Sequence, residues 1–216
     1  MNDKVVKVVA NSIFMDLFKR YPMLQELEEE IYKAYDTLCY CYENGGKVLI
    51  CGNGGSAADA GHMTAELMKG FLLPRKLQKT DVNNFSVADY SIAQRLQYGL
   101  PAISLSAQCE LMTAISNDNG ADMVFAQQVF GYAKPNDVFI GFSTSGNSLN
   151  VVQAAKTAKA LQLPCIVFTG NNGGTLKTLA DAKLCVPENM TYKIQELHLP
   201  IYHALCIAIE KRFFNN

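Results

Sequence analysis

An α/β fold is predicted for this 216-residue chain: a doubly wound, five-stranded parallel sheet flanked by helices, preceded by a helical segment. Five short runs, KVLICG, PAISLSA, DVFIGFST, LPCIVFTG and AKLCVPE, alternate with helix-like stretches at 56–70, 108–133, 147–162, 174–180 and 191–214. Strands that are apolar along their whole length are covered on both faces, as in parallel sheets. Turns rich in glycine and hydroxyls follow several of these runs, at the strand ends where ligands bind in such folds.

Residues 1–46 read as two amphipathic helices meeting near Pro22. In the second, Leu24, Leu27, Ile31, Ala34 and Leu38 recur every three or four positions, and Asn44-Gly45-Gly46 ends it. Their apolar face is expected to pack on the core or on a neighbouring subunit. Residues 47–216 form the ligand-binding domain. Within it, 72–98 is long for a connection and reads as a lid, a binding loop or an excursion onto a neighbouring subunit.

A hydrophobic content of 49% suffices for a buried core. With 19 basic and 20 acidic residues, the net charge of −1 lacks the basic footprint of a nucleic-acid or anionic-membrane binder. A bound anion must therefore be held by a local site. The seven cysteines lie mostly in apolar runs, without zinc-ribbon spacing, and read as reduced core thiols. Asp3, Asn11 and Asp16 interrupt the first apolar segment, and no run of about 18 apolar residues occurs. A soluble, cytoplasmic protein is expected.

Gly52-Asn53-Gly54-Gly55-Ser56 follows the first strand run. GNGGSA satisfies G-x-G-x-x-A, but the next strand and ribose-binding acid of a dinucleotide site are missing, as is the lysine of a P-loop. FSTSGNS at 142–148 is more informative, because Ser143, Thr144, Ser145 and Ser148 surround a helix start. Unpaired amides and hydroxyls together hold a phosphate monoester without lysine or arginine. Capping by Ser145 or Asn147 would explain one polar side chain there, not four hydroxyls.

All three histidines lie on two helices. His62 and Glu66 share a face at i and i+4. Gln195, Glu196, His198 and His203 occupy the last helix, where Pro200 makes ideal angles unreliable and leaves Gln195 and Glu196 both open as the inward group. His198 reads as a surface or boundary residue outside the site. Histidines beside carboxylates suit metal binding or proton transfer.

CGNGGSAADAGHMTAEL, ISNDNG (115–120), GFSTSGNSLNVVQAAKTAK, TGNNGG and KIQELHLPIYHAL resemble the sugar isomerase (SIS) fold in its phosphoheptose isomerase branch. The resemblance covers nearly the whole chain except about 72–98. It implies a homotetramer that interconverts sedoheptulose 7-phosphate and glycero-manno-heptose 7-phosphate through an enediol, for lipopolysaccharide and related glycans. It implies a divalent metal, usually zinc, on His62, Glu66, Gln195 and His203, so that Gln195 is the inward group. Glu66 and His203 become the proton-transfer pair, Ser143, Thr144, Ser145 and Ser148 the phosphate ligands, and Asn53, Gly54 and Ser56 the sugar contacts.

Two departures fall near the sugar. Gln108 stands where the family commonly has aspartate, and Lys69 only approximates a basic residue that follows the glutamate. An isomerase of another sugar phosphate, or a non-catalytic phosphosugar- or protein-binding member of the fold, is the alternative. The clustered titratable groups favour an enzyme.

Overall fold

The structure is a computed structural model that describes residues 3–214. Helix α1 (Asp3–Arg20) is followed by a tight turn at Pro22–Leu27 and by α2 (Glu28–Glu43). The second helix thus starts later than the Leu24 periodicity suggests, because Pro22 opens a 3₁₀ turn that runs to Leu27 before α2 begins. Strand β1 (Val48–Cys51) leads into α3 (Gly55–Met68). The long insertion carries two single-turn helices, α4 (Lys79–Val82) and α5 (Tyr90–Ala93). Then come β2 (Ala102–Ser104), α6 (Cys109–Asp118), α7 (Val124–Tyr132), β3 (Val138–Phe142), α8 (Leu149–Ala160), β4 (Cys165–Thr169), α9 (Leu176–Leu179), β5 (Ala182–Cys185) and α10 (Thr191–Phe214).

The five strands form one parallel sheet in the order β2-β1-β3-β4-β5. Alternate side chains feed two cores, as the pleat requires. Val48, Ile50, Ile140, Phe142, Ile166 and Phe168 pack with α1, α2, α3 and α10. Leu49, Cys51, Phe139, Cys165 and Val167 pack with α6, α7, α8 and α9 on the other face. Burial on both faces is why the three central strands, β1, β3 and β4, are apolar nearly throughout, whereas the edge strand β5 alternates, with Lys183 part-exposed.

From β1 the chain winds one way to β2, then crosses to β3 on the other side. The carboxyl ends of β1 and β3 therefore diverge into a crevice, the usual ligand position in doubly wound sheets. The GNGGS and STSGNS turns flank it.

Helix α10 runs unbroken through Pro200. It lies along α3, and a buried ion pair joins the far ends of the two helices. Arg75 and Glu210 side chains have no exposure, and Arg75 Nε donates to Glu210 Oε1 at 2.9 Å. The guanidinium also donates to Leu67 O (2.6 Å) and Glu66 O (3.1 Å), closing the carboxyl end of α3. Glu210 further accepts the amides of Phe71, Leu72 and Leu73.

His198 departs from its sequence assignment. It faces the sheet against Phe142 and Phe168, fully buried, with Nε2 donating to Thr169 O at 3.1 Å. Five of the cysteines (39, 41, 51, 165 and 206) are likewise buried and free, while Cys109 is exposed.

Two predictions follow from these buried groups. Glu210→Ala strands the Arg75 charge and three amides, and is expected to lower unfolding free energy by about 3–5 kcal/mol, read from urea midpoints. Glu210→Gln keeps an acceptor for the amides and costs less. Burial pushes the His198 imidazole down to about 4 from 6.5. Its depressed folded value means that the unfolded chain takes up a proton first as pH falls. Its contribution is complete above about 6.5 and is lost between there and about 4, a difference of roughly 3 kcal/mol. His198→Gln should remove that part of the stability slope in a pH series of urea titrations.

Candidate functional site

The turn after β3 is a hydroxyl cradle at the start of α8. Ser143 Oγ lies 2.8 Å from Ser148 Oγ, and the Asn147 amide donates to Ser145 Oγ at 3.1 Å. Ser148 occupies the N-cap position without bonding the helix through its side chain. Asn147 does not cap α8 either, since its Oδ1 accepts the Thr175 amide and hydroxyl at 2.9 Å. Within the turn the Ser148 amide donates weakly to Ser143 Oγ at 3.4 Å and the Val151 amide to Asn150 Oδ1 at 3.0 Å, so the amides at the very start of α8, Leu149 and Asn150, are the ones left to meet an anion.

The TGNNGG turn after β4 braces this cradle. Gly170 N donates to Thr144 O (2.9 Å) and Leu176 N to Gly146 O (3.0 Å). Gly146, at φ +65°, needs its missing side chain: a Cβ there would lie 2.0 Å from Gly173 O.

Across the crevice, Asn53 and Asn150 exchange reciprocal amide hydrogen bonds at 2.9 Å. This pair spans the β1 and β3 turns. Ser106, just past β2, binds the Gly52 amide and carbonyl at 3.3 and 2.9 Å. Asn53 and Gly54 are exposed, whereas Ser56 is buried with only 4% exposure. Gln108 is half-buried at the start of α6.

The α3–α10 seam holds the titratable groups. His62 is its hub: Nε2 lies 3.3 Å from Glu66 Oε1 and 3.4 Å from His203 Nε2, and Nδ1 lies 3.0 Å from Tyr202 Oη. Tyr202 donates to Asp59 Oδ1 at 3.3 Å. Glu66 Oε2 is buried without a hydrogen bond, with Lys69 Nζ at the looser distance of 3.6 Å. Burial, then the His62 imidazole, holds His203 below the usual histidine range, while Glu66 pulls it upward. Phe71, at the root of the insertion, packs its ring against His203, and a cleft of about 390 Å³ between α1 and α10 opens beside it, lined by Asp16, Arg20 and Lys211.

Gln195 lies on the same helix as His203. It precedes it by eight residues, about 12 Å of helix rise, and its amide covers Gly55, where a Cβ would meet Nε2 at 2.6 Å. Glu196, the other inward candidate, is exposed.

Histidine and carboxylate are donor types that a divalent cation takes. Ligand atoms about 2.0–2.1 Å from a tetrahedral ion lie about 3.3–3.4 Å from one another, the spacing seen on both sides of His62. The buried Oε2 of Glu66 also lacks a hydrogen-bond donor. Among the described residues, however, no group of three or more His, Cys, Asp or Glu is arranged to hold a metal ion. The contacts stand as two pairs that share His62.

Sequence patterns alone did not single out Asp59, Ser106, Asn150 or Tyr202. Asp59 lies one turn before His62, and Tyr202 adjoins His203, so proximity to the histidines was the available signal for those two. Asn150 and Ser106 become visible only once the strand order places their turns together.

Known proteins match this arrangement. A model of the SIS domain matches residues 90–208, and a second SIS domain model matches 19–84. The phosphoheptose isomerase of Helicobacter pylori (strain ATCC 700392 / 26695) is 42% identical over 88% of this chain and 88% of its own. Among solved structures, the phosphoheptose isomerase of Neisseria gonorrhoeae is 33% identical, with TM-score 0.72 over 93% of this chain and 96% of its own. That of Francisella tularensis is 31% identical, with TM-score 0.74 over 97% of each chain. The chain belongs to the SIS domain family and, within it, to the phosphoheptose isomerases.

Proposed function

We propose that this chain interconverts sedoheptulose 7-phosphate and glycero-manno-heptose 7-phosphate, supplying a heptose precursor for lipopolysaccharide and related glycans. The observation that carries the reading is the pairing of a hydroxyl cradle at the start of α8 with the Glu66–His62–His203 seam. The phosphoheptose isomerase relatives support it.

In this reading Ser143, Thr144, Ser145 and Ser148 hold the phosphate with the first amides of α8. The field of the helix start favours a negative charge, so no cationic side chain is required. Asn53 and Gly54 face the sugar hydroxyls. Ser56, the third sugar contact the resemblance implies, is buried, and its amide donates to Asn53 O at 3.0 Å.

Isomerisation removes a proton from C1 of the ketose, protonates O2 to give the enediol, then takes the O1 proton and returns one to C2. Glu66 and His203 carry these protons. His203 is held neutral by its surroundings and can accept one. The oxygens of Glu66 divide the work: Oε1 faces His62, while Oε2, free of hydrogen bonds, is the basic atom. His62, Glu66 and His203, with Gln195 as the ligand the family resemblance adds, would hold a divalent cation, zinc being the usual one. When bound it supplies Lewis-acid polarisation of the substrate oxygens.

A homotetramer in the cytoplasm completes the proposal. Exposed apolar side chains on α1 and the insertion, among them Met15, Val87, Tyr90 and Ile92, offer surface for subunit contacts. Among the described residues no helix is long and apolar enough to cross a membrane.

The test is purified, zinc-loaded protein incubated with a panel of ketose phosphates while aldose formation is followed. Sedoheptulose 7-phosphate should turn over, and Glu66→Gln and His203→Gln should each lose about 10²–10⁴-fold in kcat. Turnover of a different ketose would keep the mechanism and replace the substrate. Binding without turnover of any ketose would make this a phosphosugar-binding member of the family.

A further inference from the structure

We infer that Asp59 and Tyr202 are positioning residues for His62: through the Tyr202 hydroxyl, the Asp59 carboxylate holds the imidazole proton on Nδ1 and leaves Nε2 bare toward Glu66 and His203. The inference deepens the proposed function and rests on His62 belonging to the site.

The argument is an inventory of protons. The Tyr202 hydroxyl has one proton and two neighbours, Asp59 Oδ1 at 3.3 Å and His62 Nδ1 at 3.0 Å. A carboxylate only accepts hydrogen bonds, and the other oxygen of Asp59 is buried without a partner. Were the hydroxyl turned to His62, this half-buried carboxylate would have no side-chain donor among the described residues. The hydroxyl therefore donates to Asp59, and its lone pair accepts the Nδ1 proton of His62. A neutral imidazole protonated at Nδ1 presents a lone pair at Nε2, the form that accepts a proton or binds a cation.

The relay is held firmly. The Tyr202 ring is fully buried and meets His62 edge-on at 5.5 Å and Phe142 at 6.0 Å. The competing tautomer would place the His62 proton on Nε2, pointing at Glu66 Oε1 3.3 Å away. Nδ1 would then be a second acceptor competing with Asp59 for the single Tyr202 proton, and one of the two would go without a donor.

Nitrogen NMR of metal-free, ¹⁵N-histidine-labelled protein at about pH 8, where an ordinary imidazole is neutral, reads the tautomer directly. Only three histidines need assignment, by single His→Gln variants. His62 should show its proton on Nδ1. His198, which donates from Nε2 to Thr169 O, is the internal reference for the opposite tautomer. Tyr202→Phe keeps the buried ring but should leave His62 a tautomer mixture with His198 unchanged, and should weaken Zn²⁺ binding about 10–100-fold. Asp59→Ala frees the hydroxyl to donate to Nδ1 and should move the His62 proton to Nε2, which decides the matter if Tyr202→Phe does not fold.

A wild-type His62 protonated at Nε2, or a tautomer unmoved by either substitution, would overturn the inference. Wild-type protein that binds no Zn²⁺ yet shows the expected tautomer and its response would instead count against the metal alone. The two readings therefore fail separately.

Discussion

The carboxylate of Glu210 is the constraint on which the seam of His62, Glu66 and His203 depends. It lies on the last helix, fully buried, and receives Arg75 together with three consecutive amides at the start of the insertion. Arg75 in turn binds the Glu66 and Leu67 carbonyls. The end of α3 and the end of α10 are thereby fastened to one another. Because the helices run in the same direction, that fastening sets their register along the whole seam: Gln195 over Gly55, Tyr202 and His203 over His62. A slip of one turn, about 5.4 Å, would separate every one of these pairs.

The other end of the site is organised by hydrogen bonds between turns rather than between helices. Asn53 with Asn150, Ser106 with Gly52, and Asn147 with Thr175 each join turns that follow different strands. Four loop segments are thus held before any ligand arrives. Donors fixed in advance need little reorganisation when charge must be stabilised, the condition under which electrostatic catalysis is strongest. Amides and hydroxyls also hold a phosphate without adding a fixed positive charge, in keeping with a chain whose net charge is −1.

Much of this was legible from the residues. The apolar runs placed the three central strands because double-sided burial leaves a composition signal that needs no alternation, and the edge strands β2 and β5 followed from the regular spacing of strand and helix. Helix α10 was legible over its full span, and the hydroxyl excess of STSGNS marked the cluster of hydroxyls at the start of α8. Three things escaped for physical reasons. The direction faced by His198 depends on helix rotation against the sheet, which Pro200 obscured. The covering of Gly55 by Gln195 depends on helix register, set by Arg75 and Glu210 far from either residue in sequence. Asn150 looks like any polar residue in the first turn of a helix until strand order brings the β1 and β3 turns together.

The same anchor explains how the chain carries so long an insertion. Gln97 Oε1 accepts the amides of Gly70 (3.1 Å) and Arg75 (3.4 Å), the Tyr98 amide donates to Arg75 O at 2.8 Å, and Lys76 pairs with Gln97 across an antiparallel bridge. These bonds close the neck at 76 and 97. Phe71 and Arg75 lie on the inner side of it, against His203 and α10. Most residues beyond the neck meet solvent, with Val87 97% exposed, although Ala93 is buried at 1%. Loop closure grows only slowly more costly with length once the ends are fixed, so the segment between can be long without disturbing the site. Within the chain, then, the insertion meets the histidine seam through its root, where Phe71 packs on His203, while Val87, Tyr90 and Ile92 stay exposed on its outer part.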